Sequence, residues 1–232
     1  MLKVAIACFP GASSAPEVCE TMKSLGHEAR IADYREEQLK NTDLVILPGG
    51  YSYGDYLRPG ALAKGTPLVG AVKKFASDGG NVLGIGNCFQ ILCEAGLLPG
   101  ILFQNPNQRF FQSSVYVRVE NETFITKRMS PGSVLELPVA CYYGSFYTDK
   151  RTANDLEYLQ RIVLRYCDEY GEFVDDVRDN GSNPLHSLKA IAGIASRHGN
   201  VVGIMPRIDR AVSEMFGNVN GLKFFKELEV MK

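Results

Sequence analysis

No stretch of this 232-residue chain approaches the length of a membrane span. The apolar N-terminal run, Val4 to Phe9, is too short even for the hydrophobic region of a secretory signal. A cytoplasmic location is therefore expected. Charge of one sign is not in excess either: 25 Lys and Arg face 26 Asp and Glu, for a formal net charge of -1. With the basic residues scattered, nothing electrostatic points to a nucleic acid or an anionic membrane as partner. The six cysteines, Cys8, Cys19, Cys88, Cys93, Cys141 and Cys167, form no C-x-x-C pair and have no histidine at zinc-finger spacing. That argues against a structural metal site and for reduced thiols, and no cofactor is called for. Histidine is scarce. His27, His186 and His198 each adjoin a turn or polar loop, and all three read as solvated surface imidazoles. There is no internal repeat, linker or low-complexity segment, so residues 1–232 read as one domain.

What is present is a chain with 45% hydrophobic and 22% charged residues, enough apolar content for a sizeable core. Short apolar runs alternate with amphipathic segments, the pattern of a parallel sheet with helices on both faces. Val4 to Phe9, Leu44 to Leu47 and Val82 to Ile85 read as buried strands. The intervening helices are expected over Pro16 to Leu25, Thr66 to Ala76 and Asn87 to Leu98, each ending near a glycine or a Pro-Gly pair. The middle of the chain changes character. Ser114 to Glu120 and Ser133 to Val139 alternate apolar with polar residues, as antiparallel strands with one wet face do. Ile162 to Tyr166, Ala190 to Ala195 and Val201 to Met205 read as further strands, Asp168 to Asn183 as an exposed loop, and Gly221 to Met231 as a last helix. The fold class is α/β: a mostly parallel sheet flanked by helices, with an antiparallel extension.

Two segments bear on chemistry. Pro48-Gly49-Gly50 ends a strand with residues free to adopt unusual φ values, so backbone N–H groups there can face a ligand, as in an oxyanion hole. Taken alone, the same tripeptide is an ordinary turn. Gly84-Ile85-Gly86, between a strand and a helix, has the start of a dinucleotide-binding turn, but Phe89 stands where that motif needs its third glycine.

The whole string Pro48-Gly49-Gly50-Tyr51-Ser52-Tyr53-Gly54-Asp55-Tyr56-Leu57-Arg58-Pro59-Gly60-Ala61 closely resembles a loop of the glutaminase subunit of phosphoribosylformylglycinamidine synthase, a class I glutamine amidotransferase. The resemblance continues through Phe89 to Gly100, Val115 to Glu120, Leu137 to Ala140, Ile191 to Ile194 and Gly199 to Pro206, nearly the whole chain. It implies a class I glutamine amidotransferase fold. It also implies release of ammonia from glutamine through a cysteine thioester, and a large ATP-dependent synthetase as partner in purine biosynthesis. That chemistry needs a thiolate at a sharp strand-to-helix turn, a histidine base and a carboxylate to orient it.

The family's turn reads Gly-x-Cys-Asn-Gly-Phe-Gln and its base string Pro-His-Pro-Glu-Arg. Here the strings read Gly84-Ile85-Gly86-Asn87-Cys88-Phe89-Gln90 and Pro206-Arg207-Ile208-Asp209-Arg210. The resemblance thus puts Gly86 at the nucleophile position, Arg207 at that of the base and Asp209 at that of the carboxylate. Arginine stays protonated and cannot take a proton from a thiol. Gly49, Gly50 and Gln90 are the substrate-binding positions carried over. The early loop Phe9 to Ala15 also departs from the family's string.

Cys88, two residues beyond the turn, is rotated by roughly 200° on a helix. It shares an apolar stripe with Ile91, Leu92 and Ala95, which makes it a core thiol before it is a displaced nucleophile. Cys141, Tyr142 and Tyr143 stand where the family carries His-Gly-Glu. They either close the pocket or remodel it, with tyrosine faces stacking on a planar ligand and Arg207 pairing with an anionic group. Two readings follow. One is a homologue that no longer hydrolyses glutamine, degenerate or engineered. The other is an enzyme or small-molecule binder with different chemistry, using Cys88 or Cys141 as nucleophile.

Overall fold

A computed structural model describes residues 1–54, 59–173 and 182–230. In chain order the elements begin with β1 (Lys3–Cys8), α1 (Ala15–Ser24), β2 (Glu28–Asp33), β3 (Leu44–Leu47), α2 (Pro59–Ala63), α3 (Pro67–Ser77), β4 (Asn81–Ile85) and α4 (Asn87–Glu94). They continue with β5 (Ile101–Gln104), β6 (Phe111–Val119), β7 (Val134–Cys141), β8 (Tyr143–Tyr147), α5 (Lys150–Tyr158), β9 (Ile162–Cys167), β10 (Ile191–Ala195), β11 (Val201–Ile204) and α6 (Asn220–Glu227).

Nine strands make one sheet in the order β2-β1-β3-β4-β11-β10-β9-β6-β7, and β5 pairs with β8 in a small second sheet. From β2 to β11 every neighbour is parallel. From β11 to β7 every neighbour is antiparallel, the expected extension. The two halves differ for a reason visible in their side chains. In β3 and β11 every residue is buried, because a parallel sheet is covered on both faces. In β7 the buried Leu135, Leu137, Val139 and Cys141 alternate with more exposed residues, so one face packs and the other is open.

Several elements carry too little apolar signal to be legible in the sequence. β2 is an edge strand of composition EARIAD with only Ala32 fully buried, and α5 buries only Ala153 and Leu156. The short α2, β5 and β8 are further additions to the expected elements. The helix expected over Asn87 to Leu98 stops at Glu94, because Gly96 turns left-handed at φ +75° and the Leu97 and Leu98 N–H groups bond back to the Leu92 carbonyl. The last helix runs from Asn220 to Glu227 and tightens into a 3₁₀ turn over Leu228–Val230.

His27 corrects the expectation of surface imidazoles. It is buried against the start of the chain, and its Nδ1 accepts a hydrogen bond from the Leu2 N–H. His198 is exposed. Within the expected loop Asp168 to Asn183, Asn183 is fully buried and bonds both the N–H and the carbonyl of Ser187; residues 174–181 lie outside the described residues. No helix among the described residues is long and apolar enough to cross a membrane.

Candidate active site

Strands β1, β3, β4 and β11 are mutually parallel, so their C-terminal ends open on one edge of the sheet. In an open α/β sheet that edge is where the loops gather into a crevice. Here it collects the segment from Phe9 to Ser14, the turn Pro48-Gly49-Gly50, Gly86, and the segment from Met205 to Asp209. Arg207 is additionally fixed from below, its N–H donating to the Pro138 carbonyl on β7 at 2.7 Å.

Gly86 forms the apex between β4 and α4 with φ +59° and ψ −125°. That backbone conformation strains any residue with a Cβ, and a glycine adopts it freely. The Gly86 N–H donates to the Ile204 carbonyl, which pins the apex to β11. The turn is sharp, as the resemblance implies, and it presents no side chain.

Arg207 fills the space beside it. A Cβ built on Gly86 would come within 2.8 Å of Arg207 Cδ, and one built on Gly49 would overlap the same side chain. The guanidinium is anchored in a buried fork: Nε donates to Asp209 Oδ1 and Nη2 to Oδ2, both at 2.8 Å, while Nη2 also donates to Ser14 Oγ at 2.8 Å. The Asp209 side chain is fully buried. Burial works against the arginine's charge, but the Asp209 carboxylate offsets this by charge and by hydrogen bonding, and holds the guanidinium pKa above its ordinary value. Ser14, at the N-cap of α1, makes no capping bond with its side chain.

The structure therefore brings together Gly49, Gly86, Arg207 and Asp209 from the residues singled out in the sequence. Ser14 and Tyr51 join them, and sequence reasoning gives neither a role. Their signal is the altered loop Phe9 to Ala15 and the tyrosine that follows the glycine pair. Gly50 lies beside Ser13 with φ +146°.

Five candidates remain, and Cys88 among them lies within electrostatic reach of Arg207 and Asp209. Cys88 is fully buried on the core stripe with Ile91 and Leu92, and its Sγ donates to the Pro48 carbonyl at 2.8 Å. Burial pushes its thiol pKa far up, with the Arg207 charge pulling the other way. Gln90 is also buried; its Nε2 donates to the Leu102 carbonyl of β5, and its Oε1 has no hydrogen-bond partner among the described residues. Cys141 is on the core face of β7 beside Asn105 and Gly144. Tyr142 and Tyr143 pack edge-on against each other at 5.4 Å, and the Tyr142 hydroxyl accepts from Gln104 Nε2.

A hollow of about 510 Å³ opens beside Arg207, lined by Ser13, Tyr51 and Arg210 together with parts of β6 and β7. Cys141, Tyr142 and Tyr143 are not among its lining residues. The aromatic wall is Tyr51, stacked on Phe110 with centroids 5.8 Å apart, in place of the tyrosine pair expected from sequence. Residues Asp55 to Arg58 of the glycine-led loop lie outside the described residues.

The CobB/CobQ-like glutamine amidotransferase domain matches residues 1–227. The chain belongs to this family. Among its amidotransferase relatives, the phosphoribosylformylglycinamidine synthase subunit PurQ of Rhodopseudomonas palustris (strain HaA2) is 42% identical over 230 residues, covering 98% of this chain and 97% of that one. The PurQ subunit of Thermus thermophilus is 44% identical over 226 residues, covering 97% and 96%. Among solved structures, PurLQS from Thermotoga maritima superposes with a TM-score of 0.83 at 33% identity, over 99% of this chain and 98% of its counterpart. The glutamine amidotransferase fold expected from the resemblance is thus the one present. A further glutamine amidotransferase from Thermotoga maritima, at 14% identity and a TM-score of 0.55 over 99% of this chain and 93% of its own, shares the fold alone.

Proposed function

We propose that this chain is a PurQ-type subunit that has kept the amidotransferase frame and lost glutamine hydrolysis. The observation that carries the reading is the Arg207 side chain lying against the apex at Gly86. Hydrolysis through a thioester needs a sulfur at the turn, room for a tetrahedral intermediate above it, and a base within hydrogen-bond reach. Gly86 supplies no sulfur. Arg207 takes up the room, and its charge, held by Asp209, makes it unable to accept a proton. Cys88 does not substitute, since its thiol is fully buried and committed to the Pro48 carbonyl. The burial of Cys88 and Cys141 also counts against the alternative of a cysteine enzyme with new chemistry.

With the frame kept over nearly its full length, the chain docks on a large ATP-dependent synthetase subunit. The resemblance to PurLQS over 99% of the chain supports this. The test has two parts. Ammonia release from glutamine is measured for the chain alone and mixed with a PurL-type subunit; release at the rate of a working PurQ would falsify the reading. Co-elution with that subunit on size exclusion is expected, and its absence would remove the docking role.

A further inference from the structure

The hollow beside Arg207 has the composition of an anion site. We propose that it binds a small organic carboxylate, held by the unused edge of the Arg207 guanidinium and by Arg210 at the rim. This deepens the reading that Arg207 has displaced hydrolytic machinery, and rests on it.

Three of the guanidinium's possible contacts are accounted for by Asp209 and Ser14, through Nε and Nη2. Among the described residues Nη1 has no hydrogen-bond partner, although Arg207 is only 5% exposed. Nη1 is not among the buried side-chain atoms left without a partner, so it reaches open space, and the lining places Arg207 at the hollow's wall, where a ligand atom can meet it. Arg210 lines the same hollow and is 37% exposed, with its Nη1 turned to Glu17. Neither Asp209 nor Glu17 lines the hollow, so both ion pairs present their guanidinium side to it. Ser13, Ser113 and Tyr51 add hydroxyl groups, and among the described residues no carboxylate contributes to the wall.

The charge count selects the ligand class. Asp209 and Glu17 each balance one guanidinium, so the described residues of the site carry no net formal charge. A singly charged carboxylate gains charge-assisted hydrogen bonds there at a smaller desolvation cost than a doubly charged phosphate. A volume of about 510 Å³ with Tyr51 along one side leaves room for a planar or aliphatic body.

The test uses the intact chain and a pair of probes matched in shape, benzoate and benzamide, with inorganic phosphate as a third, all titrated calorimetrically at constant ionic strength. Benzoate is expected to bind saturably in the millimolar range or below, and about tenfold or more tighter than benzamide, as loss of one charge-assisted contact implies. Arg210→Gln should weaken benzoate about tenfold at unchanged thermal stability, and Ala140→Leu, which fills the hollow, should abolish binding. Arg207 is left intact because its removal strands Asp209. Equal affinities for benzoate and benzamide, phosphate binding tighter than benzoate, no saturable binding, or an Arg210→Gln variant that binds like the parent would each overturn the proposal. Failure of the parent reading is seen separately, as ammonia release.

Discussion

Arg207 Cδ stands 2.8 Å from the point where Gly86 would carry a Cβ. That is far inside the separation at which carbon atoms attract, so the two residues exclude one another's growth. Either position could change alone only if the other side chain moved, and Arg207 is not free to move. Its guanidinium is tied to Asp209 at two atoms and to Ser14 at a third, all within the buried edge of the sheet. Gly86, Arg207, Asp209 and Ser14 therefore behave as one packed unit.

Gly86→Cys by itself should leave ammonia release from glutamine at background. The new thiol would lack a base, and its Cβ would overlap Arg207. The left-handed backbone adds about 1–3 kcal/mol of strain and the overlap another ~1–3 kcal/mol. Thermal denaturation should show a clearly lowered Tm. A variant that folds as stably as the parent would mean that Arg207 does not occupy this space in solution.

Asp209→Asn should be among the most damaging single substitutions in the molecule. It leaves the buried Arg207 charge without its counter-ion, a change that costs about 3–5 kcal/mol. Arg207→Met with Asp209→Leu removes both charges and should recover most of that loss, since an apolar pair avoids the desolvation penalty. Chemical denaturation of Arg207→Met, Asp209→Leu and the double variant, each against the parent, gives the coupling energy. Additive effects of the two changes would show that the pair is screened and contributes little.

How far this site is legible in the sequence depends on the kind of signal. Val4 to Phe9, Leu44 to Leu47 and Val82 to Ile85 are legible as carrying strands because burial on both faces demands unbroken apolar runs. β2 is not, because an edge strand is free to carry Glu28, Arg30 and Asp33. At the site, the family strings single out Gly86 and Arg207, and the inability of arginine to act as a base follows from its chemistry. That Arg207 lies upon Gly86 is not, since that contact depends on how β4, β7 and β11 converge. Cys141 to Tyr143 mislead for a related reason. They follow Ala140 in sequence, but strand alternation turns Cys141 to the core while its neighbour lines the hollow.

Alkaline pH should unfold the protein through its buried thiols. Burial raises Cys88 and Cys93 far above the ordinary value of 9.0 and pushes Cys167 up to about 12. In the unfolded chain these thiols lose their protons near pH 9, while the folded chain still holds them. The folded state then binds more protons, and stability falls as pH rises. The part due to Cys167 is present below pH 9 and lost between about pH 9 and 12, and the part due to Cys88 and Cys93 keeps falling beyond that interval. Tm followed across that interval should drop, and Cys167→Ala should flatten the part due to that thiol. An unchanged slope in the variant would locate the effect elsewhere.

If hydrolysis is lost as proposed, restoring it requires changing the packed unit as a whole. Gly86→Cys supplies the sulfur, Arg207→His removes the overlap and supplies the base, and Asp209→Glu extends the carboxylate toward the imidazole. Cys88→Gly completes the family's turn. The histidine is smaller than arginine, so the space over residue 86 reopens, and the strained backbone that Gly86 holds is already the one a displayed nucleophile needs. The quadruple variant is expected to release ammonia from glutamine measurably above the parent chain, as read by a coupled glutamate dehydrogenase assay, while Gly86→Cys alone does not. Because Tyr142 and Tyr143 are not part of the hollow's wall, they should not obstruct the repaired site. If the folded quadruple variant stays silent, the defect lies in the turn at Gly49 and Gly50, where the backbone donors for the oxyanion must be presented. A circular dichroism spectrum matching the parent would be needed to separate that outcome from simple misfolding.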